Sequence, residues 1–189
     1  MSKELKVKVG EVYLSADKRK IIQIDNIKVW GEGVSNSIYY KQIALGSFSG
    51  ITMDDDNSID EDVLITGFTK VDPALYKNCF KVLKQARNEI EDILDEAELK
   101  DFTKAETGNC YLRAVDQQIL CFVTSIDSSY VYYKMIDISG ANSVTEENDY
   151  LSKKDFSKIF KEVDPSIYKQ IKKLLKKPYR ELEEILENA

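Results

Sequence analysis

Six carboxylates fall within one short stretch of this chain: Asp54, Asp55, Asp56, Asp60, Glu61 and Asp62. The alternation Asp54, Asp56, Ser58, Asp60 is the way a calcium loop begins, but the sixth position is Ile59 instead of glycine and the twelfth is Ile65 instead of glutamate. No metal and no cofactor is therefore expected. The run reads as a solvated acidic loop whose use is to meet a partner with a basic surface. A second group has the opposite sign. Lys169, Lys172, Lys173, Lys176, Lys177 and Arg180 recur every three or four residues, which sets several of them on one helical face where phosphates would be neutralised. The same spacing also describes the wet side of an amphipathic helix, and Glu181, Glu183, Glu184 and Glu187 follow at once.

The third group is aromatic: Tyr39-Tyr40 and Tyr130, Tyr132-Tyr133. In a strand, neighbouring side chains point to opposite faces, so one tyrosine of each adjacent pair faces outward, where it can stack on a base or anchor a protein contact. The inward partner belongs to the core. The fourth group is three cysteines, Cys79, Cys110 and Cys121, without any Cys-x-x-Cys pair; buried free thiols in a reducing compartment are expected, with Cys110 and Cys121 on neighbouring strands and able to face each other.

What is missing narrows the chemistry. The chain contains no histidine, which removes Ser-His-Asp and Cys-His catalysis and imidazole-based zinc sites. It has neither a Gly-x-x-x-x-Gly-Lys phosphate loop nor a Gly-x-Gly-x-x-Gly fingerprint. No run of about 20 apolar residues and no basic-then-apolar leader occurs, so neither membrane insertion nor export is expected. The net charge is −6 over 189 residues, but it is unevenly spread: Lys153 to Arg180 holds ten basic side chains against three acidic ones.

The elements that carry these residues are written twice. Val71-Asp72-Pro73 returns as Val163-Asp164-Pro165, and from Val71 to Ala97 and Val163 to Ala189 the segments align without a gap, with 13 of 27 positions identical. Each Asp-Pro pair opens a helix: the aspartate accepts from first-turn amides, and the proline gives up an amide that has no helical partner. Replacing Asp72 by Ala should cost about 1 kcal/mol. Apolar residues follow at spacings of three and four, including Tyr76, Cys79, Leu83 and Ile90, then Tyr168, Ile171, Leu175 and Leu182, so each helix packs over its own sheet or against the other copy. Pro178 stands where the first copy has Ala86, which predicts a kink or restart near Lys177.

Before each long helix the pattern predicts a three-strand meander, over Gly10 to Ser15, Lys20 to Trp30 and Ser37 to Leu45, then over Gly108 to Arg113, Gln118 to Ile126 and Tyr130 to Ile136. Six extra residues, including Gly31, Gly33 and Ser35, enlarge the second hairpin of the first copy. Ile51 to Met53 reads as a short strand, and Asp60 to Phe68 and Ser152 to Phe160 as short helices. The expected fold class is α+β: a tandem duplication of a small antiparallel barrel-like sheet, Src-homology-3-like with five short strands, followed by a short helix and a long one. The modules are residues 1–97 and 98–189, joined by a charged connector over Glu96 to Glu106. In outline the pattern resembles small tandem domains common among phage and mobile-element proteins.

The functional expectation is a non-enzymatic binding protein in the interior of a host cell. It would act as an anti-CRISPR or other anti-defence inhibitor, its acidic cluster and Tyr39, Tyr40, Tyr132 and Tyr133 occupying a basic groove of a host nucleic-acid-processing protein. The alternatives are direct nucleic-acid binding by the lysine face and a small divalent-metal enzyme. A monomer and a homodimer both satisfy the apolar stripes.

Overall fold

A computed structural model of the chain describes residues 6–30, 36–46, 51–139 and 144–189, with the side chains of residues 52–56 and 146 outside the described set. The glycine-containing insertion at 31–35 also lies outside the described residues. The elements are β1 (Val12–Ser15), β2 (Lys20–Lys28), β3 (Ser37–Leu45), β4 (Ile51–Asp60), α1 (Glu61–Gly67), β5 (Phe68–Val71) and α2 (Pro73–Asp95). The same order follows in β6 (Cys110–Arg113), β7 (Ile119–Ile126), β8 (Tyr130–Asp137), β9 (Thr145–Ser152), α3 (Lys153–Ile159), β10 (Phe160–Val163) and α4 (Ser166–Glu187). The fold is α+β, with two antiparallel five-stranded sheets in the orders β4-β3-β2-β1-β5 and β9-β8-β7-β6-β10.

Neither sheet closes into the expected barrel. Among the described residues β4 and β5 each bond to a single neighbour, as do β9 and β10. The reason lies in the chain path: α1 and α3 begin directly where β4 and β9 end, so the backbone coils at the point where a closing ladder would have to start. β5 and β10 have four residues each, all taken by the equally short β1 and β6.

Local geometry recurs between the two sheets. The β2–β3 ladder breaks register between Ile24 and Asn26, and the β7–β8 ladder between Val123 and Ser125, so each sheet has a bulge at the same place in its hairpin; the first sheet has another in the β3–β4 ladder between Tyr40 and Gln42. Each meander opens on a glycine in left-handed backbone, Gly10 at φ +86° and Gly108 at φ +90°. This conformation is open to glycine at little steric cost. It lets the Gly10 and Gly108 amides donate to the Ile24 and Val123 carbonyls at 2.8 and 2.9 Å.

The acidic run is not the loop its composition suggests. β4 continues through it to Asp60, paired with β3 from Leu45↔Ile51 to Ser37↔Asp60. Its counterpart β9, Thr-Glu-Glu-Asn-Asp-Tyr-Leu-Ser, is equally unlike a strand by composition. Both are edge strands, where charge on the unpaired side opposes edge-to-edge association and β propensity counts for less.

The Asp-Pro starts behave as expected. Asp72 accepts from the Ala74 amide at 2.8 Å and Asp164 from the Ser166 amide at 2.7 Å, and the Ser166 amide and hydroxyl hold the Asp164 carboxyl below its ordinary range. The buried stripes are Tyr76, Cys79, Leu83, Ala86, Ile90 and Leu94 on α2, and Tyr168, Ile171, Leu175, Pro178, Leu182 and Leu186 on α4, with identical spacing. Of the kink or restart predicted near Lys177, the restart does not occur: α4 runs unbroken from Ser166 to Glu187 with Pro178 inside it. The proline ring occupies the buried position held by Ala86 in α2.

Compactness divides the chain within the long helices. One unit is Met1–Val82 with Tyr179–Ala189, the other Leu83–Pro178. In the first unit Tyr13, Ile22, Ile24, Ile38, Tyr40 and Leu64 form a core beneath α1. Its share of α4 is tied to the β1–β2 turn, where Lys18 Nζ donates to the Glu187 carbonyl at 2.7 Å and Arg19 donates to the Tyr179 hydroxyl at 2.9 Å. In the second unit both sheet faces are buried. One packs Cys110, Leu112, Leu120 and Ile136 against Ile90, Leu94, Ile171 and Leu175, while Tyr168 stacks on Phe122 at 5.1 Å. The other packs Tyr111, Cys121, Val123 and Tyr133 around Phe156 of α3, which Ser152 caps by accepting from the Asp155 amide. The connector is part of this core: Lys100 exchanges backbone hydrogen bonds with Glu162, and the Phe102 ring lies 4.7 Å from that of Tyr111.

Candidate binding surface

The structure divides the acidic cluster. Asp54, Asp55 and Asp56 lie on β4, their side chains outside the described residues. Asp60 and Asp62 are exposed. Glu61 is 5% exposed, and its carboxylate accepts from the Lys6 amide and from Asn36 Nδ2, each at 2.9 Å. It is an internal acceptor that ties the chain start to the β3 approach, so it leaves the set of partner-binding candidates. It was missed as a structural residue because nothing in an acidic run marks which carboxylate turns inward.

The two thiols on neighbouring strands do not face each other. Register pairs Cys121 with Tyr111 and Cys110 with Phe122, which sends the two sulfurs to opposite faces of the sheet. Burial pushes the Cys79 and Cys110 thiols up to about 12 and Cys121 well above its ordinary value. All three are therefore neutral at pH 7 and enclosed, the reverse of a nucleophile's surroundings. Among the described residues no group of three or more His, Cys, Asp or Glu is arranged to hold a metal ion.

The adjacent tyrosines divide as strand alternation requires. Tyr40 and Tyr133 are buried, the latter 3% exposed with its hydroxyl 3.2 Å from Asp149 Oδ2, so these two are core residues and not contact residues. Tyr39 and Tyr132 point outward. Tyr132 is joined by two further rings, Tyr130 from the same strand and Tyr150 directly opposite on β9, with centroids 5.5 to 6.5 Å apart. Alternation along β8 puts Tyr130 and Tyr132 on the face that buries Ile136 farther on. One end of this face is thus covered by helices, and at the other end Tyr130 and Tyr150 are exposed, the latter 57%, around the half-buried Tyr132.

The cluster is fixed from behind. Asp127 accepts from the Ser129 and Tyr130 amides at 2.7 Å and from the Tyr132 hydroxyl at 2.8 Å, which holds its carboxyl below the usual range and raises the Tyr132 phenol. Lys153, at the start of α3, donates its backbone amide to the Ser129 carbonyl and its ammonium to the Ser128 carbonyl. Beside the rings lies a cleft of about 290 Å³ lined by Thr124, Tyr132, Tyr133, Asn148, Asp149 and Tyr150. Tyr150 escaped the sequence reading because β9 did. The signal that finds it is the copy alignment, since Tyr150 lies opposite Tyr132 as Ser58 lies opposite Tyr39.

In the first unit the corresponding positions hold Tyr39, Ser37 and Ser58. Trp30 is exposed there, donating from Nε1 to the Ser37 hydroxyl at 3.0 Å, with the Lys28 ammonium 4.1 Å from its ring centroid.

The lysines occupy the exposed side of α4: Lys169, Lys173, Lys176 and Lys177 are fully outward in the second unit, Lys172 is half-buried, and Arg180 is exposed in the first. Lys169, Lys173, Lys176 and Lys177 are thus on the solvated side of the helix. No helix among those residues is long and apolar enough to cross a membrane. No protein-family model, no curated protein and no solved structure matches the chain.

Proposed function

We propose that the chain is a non-enzymatic binding protein built from two duplicated modules, acting by occupying a macromolecular surface, and that the Tyr130–Tyr132–Tyr150 cluster is its main anchor. The observation that carries this reading is the solvent exposure of Tyr130 and Tyr150, held in contact with each other and with the half-buried Tyr132 on one strand pair. Exposed apolar groups normally cost nothing worth explaining singly, but a fixed aromatic group is the composition of a contact centre. Its tyrosines have few rotatable bonds and are already packed together, so little conformational entropy remains to be lost on binding.

The partner favoured is a protein with a basic surface. The edge strand beside the rings carries Glu147 and Asp149, both exposed, and β4 carries Asp54, Asp55, Asp56 and Asp60. Complementary charge of this kind steers association and sets orientation. A host nucleic-acid-processing protein has such a surface, and an anti-defence inhibitor that competes for its groove fits a chain without histidine and without a metal-holding group among its described residues. Direct nucleic-acid binding by Lys169, Lys173, Lys176 and Lys177 is the second reading, favoured by the density of exposed positive charge on α4.

Affinity capture from nuclease-treated host lysate, run in parallel with wild type and with the Tyr130→Ala/Tyr132→Ala/Tyr150→Ala variant, tests the first reading. A protein retained by the wild type and lost by a folded triple variant supports it. Equal recovery on both refutes the assignment of the anchor. Titration of a fluorescent oligothymidine decides the second: binding that falls steeply with salt and disappears in Lys169→Glu/Lys173→Glu/Lys176→Glu would move the function to α4.

A further inference from the structure

The rings and the carboxylates of β9 lie on opposite faces of the sheet. Register sets Asn148 and Tyr150 beside Lys134 and Tyr132 on one face, and Glu147 and Asp149 beside Met135 and Tyr133 on the other, which holds Phe156. Residues 147–150 are all exposed, and among the described residues β9 bonds to β8 alone. Its second edge is therefore open. Three hydrogen bonds fix the polarity of that edge. Lys153 donates its amide to the Ser129 carbonyl, one step beyond the Tyr130↔Ser152 pair. Hydrogen-bonded pairs alternate along an antiparallel ladder, so they fall at Val131↔Leu151 and Tyr133↔Asp149 and skip Tyr132↔Tyr150 and Lys134↔Asn148. In agreement, the Tyr132 carbonyl accepts from Thr124 Oγ1 on β7 at 3.1 Å, and the Tyr150 amide donates to the Asp149 carboxylate at 2.8 Å. The amides and carbonyls of Asn148 and Tyr150 thus face the open edge.

Resting on the binding reading above, we propose that the open edge of β9 takes an extended segment of the partner protein as an added antiparallel strand, with basic and apolar residues alternating along it. A compact ligand reaches either the rings or the carboxylates. A strand reaches both, because its successive side chains go to opposite faces: residues opposite Asn148 and Tyr150 join the rings, and residues opposite Glu147 and Asp149 join the carboxylates. Charge complementarity then sets the phase. Basic side chains meet Glu147 and Asp149, whereas on the ring face they would meet Lys134, so a slip by one residue puts every charge on the wrong side. A second copy of β9 is a poor occupant, since its own Glu147 and Asp149 bring like charge to the edge. The incoming strand replaces the Asp149 carboxylate at the Tyr150 amide with a backbone carbonyl and leaves that carboxylate to a basic side chain.

The test is a titration of the full-length, isotope-labelled chain with acetyl-Lys-Val-Lys-Val-Lys-amide, followed by amide chemical shifts and amide exchange. Expected are slower exchange at Asn148, shifts at Tyr132 and Tyr150, and little change in exchange at Glu147 and Asp149, whose amides already face β8. The valines of the added strand lie opposite Asn148 and Tyr150, so N-methylation of both valine amides should abolish binding. The block isomer acetyl-Lys-Lys-Lys-Val-Val-amide should bind more weakly. Glu147→Gln should weaken the alternating peptide about two- to fivefold, whereas Lys134→Gln should not weaken it. Equal binding of the N-methylated peptide, slowed exchange at Glu147 and Asp149 in place of Asn148, or no binding of the alternating peptide overturns the proposal. Oligothymidine that shifts Tyr130, Tyr132 and Tyr150 and no longer binds Lys134→Gln also overturns it and makes nucleic acid the occupant. If Tyr130→Ala/Tyr132→Ala/Tyr150→Ala loses the captured partner while the peptide leaves Asn148 unchanged, the strand assignment fails and the binding reading stands. If that variant loses no partner, it is the binding reading that fails.

Discussion

Leu94 lies on α2, which follows the first sheet in the chain, yet its side chain is fully buried with Cys110, Leu112, Leu120 and Ile136 of the second sheet. Leu94→Ala should therefore destabilise the second unit. Truncating a fully buried leucine removes its transfer free energy and leaves a cavity, together about 2–5 kcal/mol, and the complete enclosure of Leu94 places it in the middle of that range, about 3 kcal/mol. At 1.4 kcal/mol per decade this is roughly a hundredfold rise in the opened population. The native cysteines supply the assay. Cys110 and Cys121 lie in the second unit and Cys79 in the first, all buried and uncharged, so a thiol reagent labels each only when its surroundings open. Pulsed labelling read by peptide mass spectrometry should show Cys110 and Cys121 labelling about a hundredfold faster in Leu94→Ala, under conditions where reclosing outruns the reagent. Unchanged labelling at those two sites, with faster labelling at Cys79 alone, would refute the placement of α2.

Other consequences follow from single groups. Gln117, in the β6–β7 turn, has φ +55°, so Gln117→Gly should raise stability by up to about 1 kcal/mol in a urea titration, and a loss would show that its side chain matters more than its backbone. Pro178→Ala restores the helical amide at the cost of a buried ring and should stabilise by about 1 kcal/mol; lower stability would mean that the ring packs better than the hydrogen bond it replaces. The Asp127 carboxyl titrates lower in the folded chain than its ordinary 3.8, so its contribution is fully present above about pH 4 and is lost as pH falls through the folded value. Protection of the Ser129 and Tyr130 amides, taken relative to their intrinsic exchange rates, should fall over that window in the wild type and be low already at pH 7 in Asp127→Ala; a flat profile would remove Asp127 as the anchor of the tyrosines.

The helices and the inner strands were legible because their signals are local. The Asp-Pro starts, the three-four spacing of the stripes and the alternation around Tyr39-Tyr40 and Tyr132-Tyr133 each report one element's own geometry. The edge strands β4 and β9 were not, since charged residues are tolerated in an edge strand and their pairing comes from β3 and β8. Barrel closure failed for a related reason: a meander specifies neighbours, not whether the two outer strands meet. Pro178 shows tertiary packing overriding propensity, because the stripe on either side of it is buried. The candidate surface was half legible. Tyr130 and Tyr132 were named from the strand pattern, but Tyr150 required knowing that a polar, acidic segment pairs with β8, and Glu61 required knowing which carboxylate the Lys6 and Asn36 donors would reach.

The most direct measurement on the central claim is amide hydrogen exchange of the chain, free and bound to its captured partner. Protection should appear over residues 130–134 and 147–150, where the rings and the cleft lie. Protection confined to residues 169–177 on α4, with 130–150 exchanging as in the free chain, would contradict the claim.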